Sequence, residues 1–136
     1  MQRHTIRASL LVFLVLTANA SAGCNDDECP SVCDLLLQVF TVRIVDEAGE
    51  PVLDLDPVVT IVRTGERLVR NVKFITPGKY SLFTNVDIQR IWNHGREVRM
   101  TVTDGVRSAT ADYVVRNCAC RLEDADITGP RTVVLR

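Results

Sequence analysis

Histidine is nearly absent from this sequence, and the familiar catalytic signatures are missing altogether. Two histidines occur in 136 residues, and only His94 lies beyond the N-terminal 23 residues. There is no G-x-S-x-G nucleophile turn, no phosphate loop and no dinucleotide-binding glycine fingerprint. A C-x-x-C redox pair beside a βαβ pattern is also absent. No apolar run approaches the ~20 residues of a membrane-spanning helix. Charge of one sign is not in excess either: 16 Lys+Arg stand against 17 Asp+Glu, interspersed rather than in blocks. That balance lacks the basic footprint of a nucleic-acid binder and describes an ordinary solvated surface. No internal repeat or low-complexity segment occurs.

What is present begins with a three-part leader. Arg3 and Arg7 precede the apolar run Leu10 to Leu16, which is followed by the small residues Ala18, Ala20, Ser21, Ala22 and Gly23. This is the pattern of a bacterial secretory signal over residues 1–23. Ala18-Asn19-Ala20 and Ala20-Ser21-Ala22 both fit ordinary small-x-small cleavage. Ser21-Ala22-Gly23-Cys24 instead resembles the lipobox of bacterial lipoproteins, in which the cysteine is lipidated and becomes the new N-terminus. Ser21 departs from the leucine preferred there. Cysteine parity favours the lipobox: of Cys24, Cys29, Cys33, Cys118 and Cys120, lipidating Cys24 leaves an even set of four.

Removing 23 residues from 136 leaves 113, which suits one domain. The leader carries two arginines and no acid, so 14 basic and 17 acidic residues remain, a net charge of −3. Residues 24–35 are acidic and cysteine-containing and read as a tether; residues 36–136 read as a β domain. Phe40, Val42 and Ile44 alternate with Thr41 and Arg43, which argues a strand. Further strands are predicted at Val58–Thr64, Arg67–Thr76, Lys79–Thr84, around Val98–Val102, from Val106 toward Cys118, and in the last six residues. Turns fall at Gly49 with Pro51, at Gly65, at Pro77-Gly78 and at Asp104-Gly105, the last a hairpin signal. Between Asn85 and Gly95 the alternation breaks. There Val86, Ile88, Ile91 and Trp92 line either a short helix closed by Gly95 or an irregular crossover. About seven strands and one doubtful helix predict an all-β antiparallel sandwich.

Cys118 and Cys120 leave the same face of a predicted strand, and Cys29 and Cys33 would leave one side of a helical turn started at Pro30, the alternative there being an extended acidic linker. Two disulfides would staple the tether to the late strand, although four cysteines allow three connectivities. Zinc is the competing use. The x3 and x1 spacings miss the usual ligand pairs on one side, and export favours disulfides. Asp54 with Asp56, and Glu123 to Asp126, are oxygen-ligand candidates for calcium, but neither has the EF-hand pattern, and acidic loop faces are the better account of them. No cofactor, metal or catalytic residue is therefore expected.

The segments "TVRIVDEAGEPV", "PGKYSLFT" and "GREVRMTVTDG" together resemble a carboxypeptidase regulatory-like domain. The resemblance rests on Asp46, Gly49, Pro51, Gly78, Tyr80, Asp104 and Gly105 and covers about Leu36 to Leu135. It implies a transthyretin-like, or prealbumin-like, β-sandwich that serves as a non-catalytic accessory or adhesion module. The hydroxyisourate-hydrolysing branch of that fold ends in a Tyr-Arg-Gly-Ser motif, whereas this chain ends in Thr-Val-Val-Leu-Arg. The expectation is a lipoprotein held in the bacterial cell envelope through lipid on Cys24, meeting an envelope protein or glycan. Two alternatives stand beside it. A soluble secreted binding module predicts an exposed aromatic patch around Trp92 or Tyr113. A small hydrolase predicts His94 in a pocket with a carboxylate within hydrogen-bond reach.

Overall fold

The computed structural model describes residues 37–69, 74–118 and 126–136, the side chains of Phe74 and Ile75 excepted. The leader, the tether, Cys24, Cys29, Cys33 and Cys120 lie outside the described residues. Eight strands form among the described residues: β1 (Val39–Val45), β2 (Val58–Ile61), β3 (Phe74–Thr76), β4 (Lys79–Thr84), β5 (Glu97–Thr103), β6 (Ser108–Val115), β7 (Ile127–Thr128) and β8 (Thr132–Val134). A 3-10 turn at Asn85–Asp87 leads into the one helix among the described residues, α1 (Ile88–Asn93). The strands make two four-stranded sheets, β3-β4-β1-β8 and β2-β5-β6-β7.

Period-two patterning decides which side of each strand faces the other sheet. In β5, Val98, Met100 and Val102 are buried while Glu97, Arg99, Thr101 and Thr103 are exposed. In β6, Ala111, Tyr113 and Val115 take the buried side. These side chains and Phe40, Val42 and Ile44 of β1 join one core shared by both sheets. Phe40 marks the contact between layers. Its ring stacks on Phe83 of its own sheet at 4.9 Å and meets Tyr113 of the opposite sheet edge-on at 5.5 Å. Each such ring pair contributes about 0.5–1.5 kcal/mol beyond burial. In β4 the alternation fails, because Leu82 and Phe83 are both buried. The pairing shifts from Phe40↔Phe83 to Thr41↔Ser81, so Leu82 is an extra residue on that strand, a bulge that turns two neighbours inward.

The all-β, sandwich-like expectation holds, with four departures. First, β8 runs parallel to β1, pairing Ile44 with Val133, whereas the other strand pairs are antiparallel. The chain leaves β7 in one sheet and enters β8 in the other, and a crossover, unlike a hairpin, permits a parallel entry. Second, the segment Arg67–Thr76 is not one strand. Arg67 bridges to Thr60 beside β2, while Phe74–Thr76 pairs with β4 in the other sheet. Third, Ile127–Thr128 forms β7 against β6 where a loop is predicted. Fourth, Val86 is exposed, so α1 buries Ile88, Ile91 and Trp92 alone.

Candidate functional site

The registers place the connections at two ends of the sandwich. At one end lie the Asn85–Asp87 turn, α1 and the Gly65 turn. At the other lie the 46–57 loop, the Pro77–Gly78 turn and the 104–107 hairpin loop. The helical end is filled. Ile88 and Ile91 are almost wholly buried, and α1 lies against β5 and β6. Asp87 fixes the entry by accepting hydrogen bonds from the backbone N–H and hydroxyl of Thr84, both 2.8 Å. At the exit, the Arg96 backbone adopts φ 67°, and its guanidinium carbon lies 3.6 Å from the centroid of the Trp92 ring.

The opposite end is held open by a loop with its own scaffold. Beyond β1 the chain turns at Asp46, whose Oδ1 accepts the N–H groups of Ala48 and Glu50, each at 2.9 Å. This is the side-chain-made turn that aspartate favours. Gly49 completes it at φ 84°. The chain then passes back along β1, where the Val52 N–H donates to the Ile44 carbonyl at 3.1 Å. Gly78 of the facing turn sits directly on Pro51: a Cβ at Gly78 would lie 2.5 Å from the Pro51 Cβ. Tyr80 straps the next stretch from below. Its ring is buried, and its hydroxyl donates to the Val52 carbonyl at 2.7 Å and accepts from the Leu55 N–H at 3.3 Å.

This scaffold borders a cleft of about 460 Å³ walled by Leu53, Leu55, Pro77 and Tyr80 and carrying the carboxylates of Asp54 and Asp56. The volume falls within the range of about 300–1,000 Å³ usual for small-ligand sites. Leu53 is 53% exposed, an apolar lip at the rim. Asp54 holds φ 57°, a left-handed conformation that aspartate enters more readily than most residues. The family-resembling residues Asp46, Gly49, Pro51, Gly78 and Tyr80 thus meet at one place. Each has a structural part there: side-chain turn, backbone freedom, close approach or strap.

The residues singled out from sequence lie elsewhere. His94 is exposed, and its Nδ1 is 2.7 Å from the Arg90 carbonyl oxygen. Its hydrogen-bond partner is therefore backbone and not the carboxylate that a hydrolase centred on it requires. The exposed aromatic patch is overturned as well. Trp92 is 9% exposed under Arg96, and Tyr113 is fully buried. Burial also pushes the Tyr113 phenol well above its ordinary pKa. Asp54 and Asp56 line the cleft, but among the described residues no three His, Cys, Asp or Glu gather as metal ligands. Of the second acidic run only Asp126 is described. Cys118 packs against the core, and the other four cysteines lie outside the described residues. No described helix is long and apolar enough to cross a membrane.

Sequence inspection missed the cleft, reading Asp54 and Asp56 as part of a solvated face. The available signal was the bracketing of "VLDLD" by Pro51 and Pro57, which frames a short rigid loop with two leucines and two acids. Fold and site together define an all-β, two-sheet protein with one plugged and one open end. No protein-family model, curated protein or solved structure gives a significant match to the chain.

Proposed function

We propose that this chain is an exported, lipid-anchored β-sandwich module of the bacterial cell envelope that binds a partner and catalyses no reaction. The observation that carries the proposal is the run Ser21-Ala22-Gly23-Cys24 directly after a charged and then apolar leader. The placement of His94 against a backbone carbonyl, outside the cleft, supports a binding role over hydrolysis. The two-sheet architecture and the meeting of Asp46, Gly49, Pro51, Gly78 and Tyr80 support a transthyretin-like, carboxypeptidase regulatory-like assignment within the all-β class.

Cys29, Cys33, Cys118 and Cys120 form two disulfides in this proposal, supported by the even set that lipidation of Cys24 leaves. A bond from the tether to Cys118 or Cys120 closes a loop of roughly 90 residues, for which chain entropy predicts about 4–5 kcal/mol. Detergent phase partition of the exported protein tests the anchor. Wild type enters the detergent phase and Cys24→Ser stays aqueous; equal aqueous partition of both rejects it. Intact mass with and without reductant reports the cleavage site, the lipid and the disulfide count together. The two small-x-small sites upstream of Cys24 favour the second reading, a soluble secreted module that binds without an aromatic patch at Trp92 or Tyr113 and whose signature is a mature mass without lipid.

A further inference from the structure

We propose that the seam between β6 and β8 takes up one extended segment of a partner polypeptide, which joins the two sheets as an added strand. β6 and β8 belong to different sheets. They meet where Ser108 and Arg136 exchange backbone hydrogen bonds of 2.8 and 3.3 Å. Away from that point β8 follows β1. A cavity of about 420 Å³ opens there, with Ala109, Thr110 and Ala111 on one side and Thr132, Val133 and Val134 on the other. Backbone groups alternate sides along a strand. On β6 the Val115 N–H donates to the Arg96 carbonyl beside β5, whereas the Ser108 and Arg116 N–H groups donate away from β5, to Arg136 and Asp126. Thr110 is in phase with Ser108, so its N–H and carbonyl face the cavity. On β8 the Arg131 carbonyl and the Leu135 N–H are bonded to β1. Thr132 and Val134 therefore aim outward, in phase with Arg136. Among the described residues no backbone hydrogen bond reaches Thr110, Thr132 or Val134 on that side.

Three observations name the occupant. The first is spacing: packed sheets lie about 10 Å apart and paired strands about 4.8 Å apart. A strand placed midway in the seam is thus within pairing distance of both edges, and only an extended backbone carries donors and acceptors on both of its sides at their repeat. The second is the lack of a guard. β-Proteins cover, shorten or charge their edges. Here β2 is covered by bonds from the Ile61 N–H to Glu66 and from the Leu68 N–H to Val59, both 2.8 Å. β3 and β7 have only three and two residues. β6 has eight, its outer side is paired at Ser108 and again at Val114 and Val115, and Ala109, Thr110 and Ala111 between them are small and uncharged. The third is the lining. Ala111 and Val133 belong to the core yet reach the cavity, so the inserted segment carries apolar residues at alternate positions, turned inward onto them.

The inference rests on the binding-module proposal, gives its partner a chemistry, and is independent of the lipid on Cys24. The test is amide chemical-shift titration of the full mature protein, as wild type and as Cys24→Ser, with the end-blocked peptide Thr-Val-Thr-Val-Thr. Two control peptides carry N-methyl groups, one on both valine amides and one on the three threonine amides, and so lose the donors of one side each. The parent peptide is expected to give saturable shifts confined to residues 108–112 and 132–136, with slower amide exchange at Thr110, Thr132 and Val134. Each methylated peptide should bind more weakly, by about fivefold per hydrogen bond lost. Thr110→Pro removes an N–H that the β5 ladder does not use, a place where a strand tolerates proline, and should weaken binding by about fivefold. The methylated peptides read the same bonds in the unaltered protein should that variant fail to fold. Methylated peptides binding like the parent overturn the proposal, as does the lack of any saturable shift. Light scattering that shows a dimer, with the seam amides protected before peptide is added, assigns the seam to a second copy and also overturns it. Shifts confined to residues 53–56 and 76–80 overturn the seam and leave the binding-module proposal standing. Failure of the anchor shows instead as aqueous partition with the titration unchanged.

Discussion

The two ends of this sandwich are closed by different physics. At the helical end, Ile88, Ile91 and Trp92 fill the space between sheets with apolar volume. At the opposite end, two loops are shaped by three side chains that hydrogen-bond to backbone: Asp46 to Ala48 and Glu50 and Tyr80 to Val52 and Leu55 in the 46–57 loop, and Asp104 to Val106 and Arg107 in the hairpin loop. Apolar packing is non-directional and seals whatever it fills. Hydrogen bonds to backbone hold a loop at a chosen distance and leave room beside it. A cleft therefore forms where the polar devices are and not where the helix is. If the contrast is real, substitutions at the two ends should differ in what they disturb as well as in how much.

The largest effect is expected at the filled end. Ile91 is fully buried, so Ile91→Ala removes transfer free energy and leaves a cavity, costing about 2–5 kcal/mol. Thermal and urea unfolding should both report it as a global loss, with amide exchange accelerated across α1, β5 and β6 together. At the open end, Gly78→Ala should follow at about 2–3 kcal/mol, because its Cβ would meet Pro51 and its φ of 74° disfavours alanine. Gly49→Ala is the control: φ is 84°, but no atom lies within 4 Å of the added Cβ, so about 1 kcal/mol is expected. Equal costs at the two glycines would show that backbone conformation alone, without the Pro51 contact, sets the loop.

Tyr80→Phe sharpens the comparison further. The ring stays buried, while the donor to Val52 and the acceptor for Leu55 are lost. About 1–2 kcal/mol is expected. The diagnostic result is local: faster exchange at residues 52–56, with α1 unchanged. An acceleration spread over both ends would mean that the strap belongs to the common core and does not shape the cleft.

Local periodicity made much of the sandwich legible. Val98, Met100 and Val102 announce their inward side within five residues, and Asp46 with Gly49 announces a turn within four. Tyr113 was legible too, being in phase with Ala111 and Val115 on β6 and hence buried; proposing it as a surface aromatic overlooked its own alternation. Trp92 shares a helical face with Ile88 and Ile91, and the same lesson applies. The features that escaped are non-local. The hydroxyl of Tyr80 meets residues 25 and 28 positions earlier, and no spacing rule connects them. The parallel β1·β8 pair depends on a crossing between sheets, and the splitting of Arg67–Thr76 depends on which sheet each half can reach. Both outcomes are fixed by packing, so an alternating stretch read alone cannot reveal them.

The smallest predicted effect separates the ends by pH. The carboxyl of Asp104 is lowered to about 2, chiefly by the backbone N–H of Arg107, then that of Val106, then the Arg107 side chain. Asp104 Oδ1 accepts from those N–H groups at 2.7 and 3.0 Å, and Oδ2 lies 2.9 Å from the Arg107 Nε. An unfolded aspartate titrates near ~3.9. Because the folded value is the lower one, the hairpin loop is fully supported above about pH 4 and loses that support as pH falls toward 2. The Val106 and Arg107 amides should therefore shift and exchange faster between pH 4 and 2. Asp104→Asn keeps an acceptor oxygen but no titrating charge, so it should flatten the response at these two amides. Amides of α1 have no such dependence on this carboxyl, since the helix is held by Ile88, Ile91 and Trp92. A matching transition in α1 over the same pH interval, surviving in Asp104→Asn, would mean that the ends unfold as one unit and that their different chemistries do not make them independent.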